Sequence, residues 1–568
     1  MSRDARKAAA AESAKTGVMT HRQIMFVLLG LMAGMFLSAL DQSVVGTAMK
    51  TIADDLKGLE LQAWVTTAYL ITSTITTPIY GKLGDIFGRR RLFIFAITVF
   101  IVGSVLCGTS QSMYELAAWR AVQGIGAGGL FTMALTVMAD IVPPRERARY
   151  QGMFLAVFGT SSVLGPLVGG LFAGADQILW VTGWRWVFLI NLPIGIIALL
   201  MVVAFLHVPH TPVKHRIDWW GAVTIIVAVV PLLLVAEQGR EWGWDSFNSV
   251  SMYVLGAVGI VAFIIAERAA GEEALLPLKL FKSTTFSMST ILGVIVGVGM
   301  FGGMMTIPLL LQIVLGASPM ESGFMMMPMV FGMMTATMTA GQITSRTGKY
   351  KLFLVIGTAL LTLGYVYFFL IFNAETQYWQ MAIGMVVIGL GLGQLMQTLV
   401  IASQNSVEAK DVGVATSSST FFRQIGGTLG VAIFLSILFN NLSTSIADAF
   451  KDSKVVEGLK QVGADVMAGK ALQGDEKTNM DLLTAMKSGD MSAVGDQMNS
   501  DSSFINNLDP RLAAPFKMGF ANASLSVFLT AAFVIAVAFV LTFFVKEIAL
   551  RDKSAMAEKA DAAAAAAH

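Results

Sequence analysis

Cysteine and histidine are nearly missing from this chain. Cys107 is the only cysteine in 568 residues, which excludes an internal disulfide framework and any cysteine-based metal cluster. The five histidines show no H-x-x-x-H spacing and no C-x-x-C pair accompanies them, so no metal centre is expected. Charge is scarce as well. Asp, Glu, Lys and Arg make up 13% of the chain, against about 25% in an average soluble domain. Disordered, collagen-like and nucleic-acid-binding chains need polar or basic composition and are excluded. With 39 basic and 37 acidic residues the net charge is +2, so the placement of the charges carries more than their sum. What is abundant is apolar: 55% of residues are hydrophobic, 36 of them Phe, and the mean hydropathy is +0.69.

The apolar residues come in runs. A bilayer core about 30 Å thick requires roughly 20 mostly apolar residues per helix. Windows of that kind recur near 24–49, 60–80, 92–110, 115–139, 150–173, 185–206, 218–237, 250–266, 285–312, 321–342, 352–371, 380–402, 414–439 and 518–545, which is fourteen spans. The first is longer than a removable signal peptide, lacks a small-residue cleavage site, and is expected to stay as a span. With the N-terminus inside, sixteen Lys and Arg fall in the cytoplasmic short loops and three (Lys50, Lys57 and Arg240) in the opposite ones. This positive-inside bias predicts cytoplasmic termini and supports the count, since one missed span would scramble the alternation.

Two stretches break the rhythm. Residues 1–21 and 551–568 read as polar, Ala-rich tails. Residues 443–515 form an extracytoplasmic segment with eleven acids and seven bases. Val455, Leu459, Val462 and Val466 recur there at helical spacing, which predicts an amphipathic helix. A weakly acidic outer cap would favour cations; a plain solvated loop is the competing account.

The informative motifs sit at helix ends and inside spans. After the second span, Gly81-Lys82-Leu83-Gly84-Asp85-Ile86-Phe87-Gly88-Arg89-Arg90-Arg91 combines spaced glycines, which allow close backbone approach, with an acid suited to a neighbouring helix N-terminus and with anchoring arginines. A weakened copy runs from Gly341 to Lys351, with the seven-residue glycine spacing kept and Ser345 in place of the acid. A duplicated half-molecule is the simplest account. The fourth span carries Arg120 ahead of Gln123-Gly124-Ile125-Gly126-Ala127-Gly128. An arginine at that depth is costly, so it should face the bundle interior and meet a carboxylate, a carbonyl or water. In the fifth span, Gly159 and the run Gly165-Pro166-Leu167-Val168-Gly169-Gly170 predict a kinked, closely packed helix.

Taken together these strings resemble the major facilitator superfamily, and specifically its fourteen-helix drug:proton antiporters. Gly81–Arg91 is similar to the superfamily's signature loop, Arg120–Gly128 to its fourth-helix motif, and Gly159–Gly170 to its fifth-helix antiporter motif. Leu40-Asp41-Gln42-Ser43-Val44-Val45 resembles the first-helix motif of that branch, although Gly46 stands where the family usually has Asn. Trp184–Gly195 and Phe421–Gly427 are further family-like strings. The resemblance implies an all-α membrane protein with the major facilitator fold. Residues 22–206 would form an N-terminal six-helix lobe, 207–270 an inserted pair of helices 7 and 8, and 271–550 a C-terminal six-helix lobe that includes 443–515. Such transporters rock one lobe against the other around a midplane site. The chain has no Walker sequence for ATP, so the expected driving force is the proton gradient, with no cofactor. The expected partners are the lipid bilayer, protons and small amphipathic substrates. Nucleic acid is not among them, and a monomer is expected.

A proton-coupled carrier needs a buried acid whose proton affinity changes with its surroundings: burial favours the neutral carboxyl and a nearby cation the ionised one. Asp41 is the first candidate. It lies in the first span on one face with Gly34 and Ser38, a small and polar stripe that should point inward; the acid matching it in the related exporters is implicated in coupling or cation recognition. An acid paired permanently with an arginine is the alternative. Arg120 is the second candidate, as the cation that tunes Asp41, with a structural anchor as its alternative. Glu237, near the outer end of span seven, is a candidate cation contact or gate, or else a solvated interface acid. Arg423, inside span thirteen, must find a polar partner, and would contact substrate or lock the second lobe. Gly81, Asp85, Gly88, Arg89 and Asp140, with Gly159, Gly165, Pro166 and Gly169, are expected to serve gating. Eleven methionines between Met300 and Met338 are candidates for a malleable apolar pocket, or for ordinary lipid and core contacts. Gln312, Gln394 and Gln397 are candidate polar contacts. The expected function is proton-coupled export of amphipathic, cationic compounds across a cytoplasmic (inner) membrane. Export of a dedicated metabolite (lipid, peptide, siderophore or amino acid) or a non-transporting scaffold are the alternatives. No convergent nucleophile, base or metal set suggests an enzyme.

Overall fold

The computed structural model describes residues 21–57, 61–206, 217–488, 502–551, 553–554 and 557–558. The calls on residues 1–20, 207–216 and most of the distal tail lie outside the described residues. The long helices are α1 (His21–Asp55), α2 (Gln62–Phe87), α3 (Arg89–Thr109), α4 (Met113–Ile141), α5 (Pro144–Ala173), α6 (Asn191–Phe205), α7 (Trp219–Trp242), α8 (Phe247–Ala270), α9 (Thr284–Ile313), α10 (Met327–Thr347), α11 (Lys351–Ile371), α12 (Tyr378–Asn405), α13 (Val412–Ala449) and α14 (Pro510–Thr542). A one-turn helix, Trp186–Leu189, leads into α6, and Pro319–Met325 leads into α10. Among the described residues, 12 helices are long and apolar enough to cross a bilayer. Two of the helices named above fall outside that set. α2 is 26 residues long but carries a polar face of Thr and Ser, and in α5 the apolar part is the shorter stretch Gly159–Ala173.

Helices α1 to α6 pack chiefly on one another, and α9 to α14 do the same. Two apolar cores support the two halves, one around Phe93, Phe100, Leu130 and Met138, the other around Leu361, Tyr365, Leu392, Phe528 and Ile535. The halves meet where α2 packs on α13 and α5 on α10. Helices α7 and α8 pack mainly on each other, and α7 reaches α2 and α13 through Ile225, Ala228 and Leu233 against Ile71, Ile75 and Phe421. Both signature copies end on a glycine with positive φ. Gly88, between α2 and α3, has φ 91°, and Gly348, between α10 and α11, has φ 72°. Residues with a Cβ rarely adopt this region, which explains why the glycine spacing survives although the acid has changed.

Beyond α13, the helix Ser453–Met467 has the expected face: Val455 and Val462 are buried, and Leu459 and Val466 pack on the C-terminal core. Its anchor is Asp509, the N-cap of α14. The Asp509 carboxylate accepts from Gln473 N at 3.1 Å and from Arg511 Nε at 3.0 Å, while Arg511 Nη1 donates to Asp465 at 2.7 Å. These hydrogen bonds from Arg511 hold both carboxyls below their ordinary range. A depressed carboxyl contributes its stability above the ordinary pKa of about 3.9 and loses it as pH falls further. The outer segment should therefore resist proteolysis in the exposed 468–475 link equally at neutral and mildly acid pH. Asp509→Ala removes an N-cap worth about 1 kcal/mol and should speed that cleavage several-fold. An unchanged cleavage rate in the variant would refute this role.

Candidate functional site

Asp41 stands on α1 one turn beyond Ser38, and both face the interior of the first half. The carboxylate is 1% exposed and both its oxygens are occupied. Oδ2 accepts from Arg120 Nη1 at 2.6 Å. Oδ1 accepts from Gln123 Nε2 at 2.8 Å and from Asn191 Nδ2 at 2.7 Å. Arg120 and Gln123 are three residues apart on α4 and so share a face; Asn191 is the first residue of α6. Arg120 Nη1 also donates to Gln123 Oε1 at 2.6 Å. Gln123 and Asn191 each donate to the Ser104 hydroxyl of α3, at 2.5 Å and 3.1 Å. The Arg120 guanidinium lies 4.0 Å from the centre of the Tyr69 ring of α2, a cation–π contact, and the Tyr69 hydroxyl shares a 3.0 Å hydrogen bond with Ser38. Five helices thus converge on one acid. Two polar atoms of the group, Arg120 Nε and Asn191 Oδ1, are buried without a partner.

Close helix packing brings these groups together. A Cβ on Gly165 of α5 would overlap the Ser43 side chain, and one on Gly169 would lie 2.8 Å from the Val44 carbonyl, so α5 rides against α1 in the turn after Asp41. Pro166 sits inside α5 between them. Gly159 instead faces the other half, where its Cβ would lie 2.5 Å from Val330 of α10. The fifth-helix motif therefore has two contact faces, one on the acid-bearing helix and one on the opposite half.

A second charged group lies at the end of the bundle that carries the basic loops. Arg89 donates to Asp85, one turn back at the end of α2, to Asp140 Oδ2 of α4 at 3.0 Å and to the Gly81 carbonyl at 3.1 Å. Asp85 Oδ2 points at the first turn of α13, whose unpaired N–H groups carry partial positive charge. There, a Cβ on Gly413 would overlap the Arg89 guanidinium and stand 2.8 Å from Asp85 Oδ2. One turn further, Ser417 fills the space over Gly81. At the same end, Arg147 of α5 reaches Gln404 Oε1 of α12 at 2.6 Å. The two halves are therefore closed on each other at the basic end.

The remaining candidates lie apart from these groups. Glu237 is partly buried near the far end of α7 and does not belong to the Asp41 group. Arg423 lies on α13, 5% exposed, and the partner expected for it is not found among the described residues. Gln312 donates to Ser322 at 3.0 Å, whereas the side-chain oxygens of Gln394 and Gln397 are buried and accept no hydrogen bond. The methionines divide. Met300, Met329 and Met333 are buried, but Met320, Met327 and Met338 are exposed on the stripe that also carries Phe324 and Phe331, and so face away from the bundle. The side chains of Met304 and Met305 lie outside the described residues.

The model of the Major Facilitator Superfamily matches residues 31–431. The chain belongs to the major facilitator superfamily. It is 36% identical over 547 residues to the "Multidrug transporter protein MdtP" of Bacillus subtilis, covering 95% of this chain and 96% of that one. It is also 36% identical over 430 residues to "Multidrug resistance protein 3" of the same organism, covering 76% and 82%. Among solved structures, a double Trp mutant of XylE superposes with a TM-score of 0.56 at 14% identity, covering 95% of this chain and 98% of that chain. The human organic anion transporter MFSD10 superposes with 0.53 at 13% identity, covering 90% and 99%. These structural likenesses carry the fold alone.

For a major facilitator chain, the motif residues were legible and their partners less so. Gln123 follows Arg120 by three residues, a spacing that marks it as a neighbour, and Asn191 lies within a family-like string, yet neither suggests contact with Asp41 until α3, α4 and α6 are assembled. Gly413, Gln404 and Arg147 carried no signal of their own. Their meaning arises where the two halves touch.

Proposed function

We propose that the protein is a proton-coupled antiporter that exports amphipathic compounds, cationic ones among them, across the cytoplasmic membrane by alternating access. In this reading it has fourteen membrane helices, two six-helix lobes with α7 and α8 inserted between them, and cytoplasmic termini, and it works as a monomer. The observation that carries the reading is the Asp41 group. Three hydrogen bonds already end on this acid and it is 1% exposed, so a proton or a cationic cargo reaches it only when the packing around it opens, and a cargo only when a donor also makes room. Arg120 is the donor whose departure leaves a carboxylate open. The cycle then couples three events: opening of the lobes, separation of Arg120 from Asp41, and exchange of a proton for cargo. Asp85, Arg89, Asp140 and Gly81, clamped against Gly413 and Ser417, act as the gate at the cytoplasmic end, and α5 transmits movement between α10 and α1 through Gly159, Gly165 and Gly169. Similarity to relatives named for multidrug transport and resistance supports drug-like cargo, and 33% identity to the "Efflux pump FUS6" of Gibberella fujikuroi, covering 81% of this chain and 83% of that one, supports efflux as the direction.

The test is transport by the purified chain in proteoliposomes with an imposed pH gradient and a panel of monocationic, dicationic and neutral amphipathic compounds. Flux of some members driven by the gradient, and proton movement in the opposite direction, are the expected results. Absence of gradient-driven flux across the whole panel would overturn the reading.

A further inference from the structure

The buried charges of the chain are unevenly matched. Asp41 faces Arg120, and Arg89 faces Asp85 and Asp140. Arg423 is as deep in its half, yet no oxygen among the described residues accepts from its guanidinium. The helices packed on α13 explain why. α9 and α12 contain no Asp, Glu, Lys or Arg at all. The charges of α14 are Arg511 and Lys517, near its start, and those of α2 are Lys82 and Asp85, at the basic end. On α7 they are Glu237, Arg240 and Glu241, near its far end. On α4 they are Glu115, Arg120 and Asp140, of which Arg120 is already paired with Asp41 and Asp140 with Arg89. A desolvated guanidinium without a counter-charge is costly. The described residues offer no remedy for it.

Its position indicates what supplies one. Seven residues are nearly two helical turns, about 10 Å, so Arg423 stands above Thr416 on one side of α13. The Thr416 hydroxyl accepts from Gln404 Nε2 at 2.9 Å, and Gln404 in turn accepts from Arg147 of the other half. Helices α12 and α13 run antiparallel, so Gln397, seven residues before Gln404, lies on the matching stripe at the depth of Arg423, with Gln394 one turn further. Both glutamine oxygens are buried and accept nothing. Next to Arg423, Gln424 accepts from Thr77 of α2 at 3.3 Å, which sets this level at the junction of the two halves. A planar fork of donors in an apolar surround suits a carboxylate-type anion, to which each glutamine amide would present its NH2 and not its oxygen.

We infer that Arg423, with Gln397 and Gln394, binds an anionic group of the exported compound, so that the cargo includes amphipathic acids and zwitterions. This rests on the efflux reading, and a zwitterion would satisfy both halves: its cationic pole at Asp41 and its acid at Arg423. The test uses the full chain purified in detergent, with no gradient, and three probes on one scaffold: biphenyl-4-carboxylic acid, its methyl ester and its dimethylaminoethyl amide. The acid should bind about tenfold more tightly than the ester, the scale of a charge-assisted contact. Arg423→Gln should abolish that difference, the acid losing far more affinity than the ester or the amide, and Arg423→Lys should keep part of it. Equal binding of acid and ester to the wild type, or an undiminished difference in Arg423→Gln, would overturn the inference. So would complete displacement of the acid by equimolar chloride or phosphate, which would make this a site for inorganic ions. If Arg423→Gln does not purify as a single species, the wild-type difference and Arg423→Lys decide. The outcomes separate cleanly: acid preference without gradient-driven flux would refute efflux and leave the Arg423 site standing, whereas flux of cations with no acid preference would do the reverse.

Discussion

Asp41→Asn is expected to reduce gradient-driven efflux on the order of 100-fold, the upper end of ordinary coupling free energies, while the protein remains in the membrane. Asparagine keeps the shape of the side chain and an acceptor for Gln123 and Asn191, but it cannot exchange a proton at neutral pH. It also turns an amide toward Arg120, whose guanidinium then loses its counter-charge at 2% exposure. Removing one member of a buried ion pair costs about 3–5 kcal/mol, so a fall in melting temperature should accompany the loss of transport. Asp41→Asn with Arg120→Gln separates the two effects. Removing both charges should restore the melting temperature, since neutral groups of similar shape can replace a buried pair at little cost, yet efflux should stay absent. Wild-type coupling in Asp41→Asn, or restored efflux in the double variant, would show that the acid is a structural partner of Arg120.

Gly413→Leu should hold the basic end of the bundle open. Any Cβ at this position overlaps the Arg89 guanidinium and comes within 2.8 Å of Asp85 Oδ2; a leucine cannot fit while α13 is seated on the signature loop. Overpacking of about 2 kcal/mol shifts the balance between closed and open forms by about 30-fold. The single native cysteine makes this measurable, because Cys107 is fully buried and serves as a silent background. Ser417→Cys, covered by Gly81 in the closed form, should react with a bulky thiol reagent at least about tenfold faster when Gly413→Leu is also present, and efflux should fall by a similar factor. Unchanged labelling would mean that this junction does not close the cycle.

Sequence and structure contributed differently to these expectations. Span positions, the duplicated glycine turn and the amphipathic face of the outer helix were legible because each depends on residues within a few turns of one another. The inward direction of Asp41 was legible for the same reason, from Gly34 and Ser38 on its own helix. Polar helices were harder. α2 falls short of the hydropathy of a span because of its Thr and Ser, which are tolerated there since hydroxyls such as those of Thr72, Ser73, Thr76 and Thr77 donate to carbonyls of their own helix. No partner for Arg423 is found among the described residues, for a physical reason: its neighbours on α9 and α12 carry no charge.

By itself, then, the amino-acid sequence determined that this is a multi-span helical membrane protein of the major facilitator type, and which few charges lie at bilayer depth, because hydropathy, glycine spacing and the cost of burying charge act locally. Only the tertiary structure decided who meets whom. It joined Asp41 to Arg120, Gln123 and Asn191 across as many as 150 positions, seated Gly413 on Arg89, and left Arg423 without a counter-charge among the described residues. Those pairings depend on how helices from distant parts of the chain cross, which the composition and periodicity of any one helix do not contain.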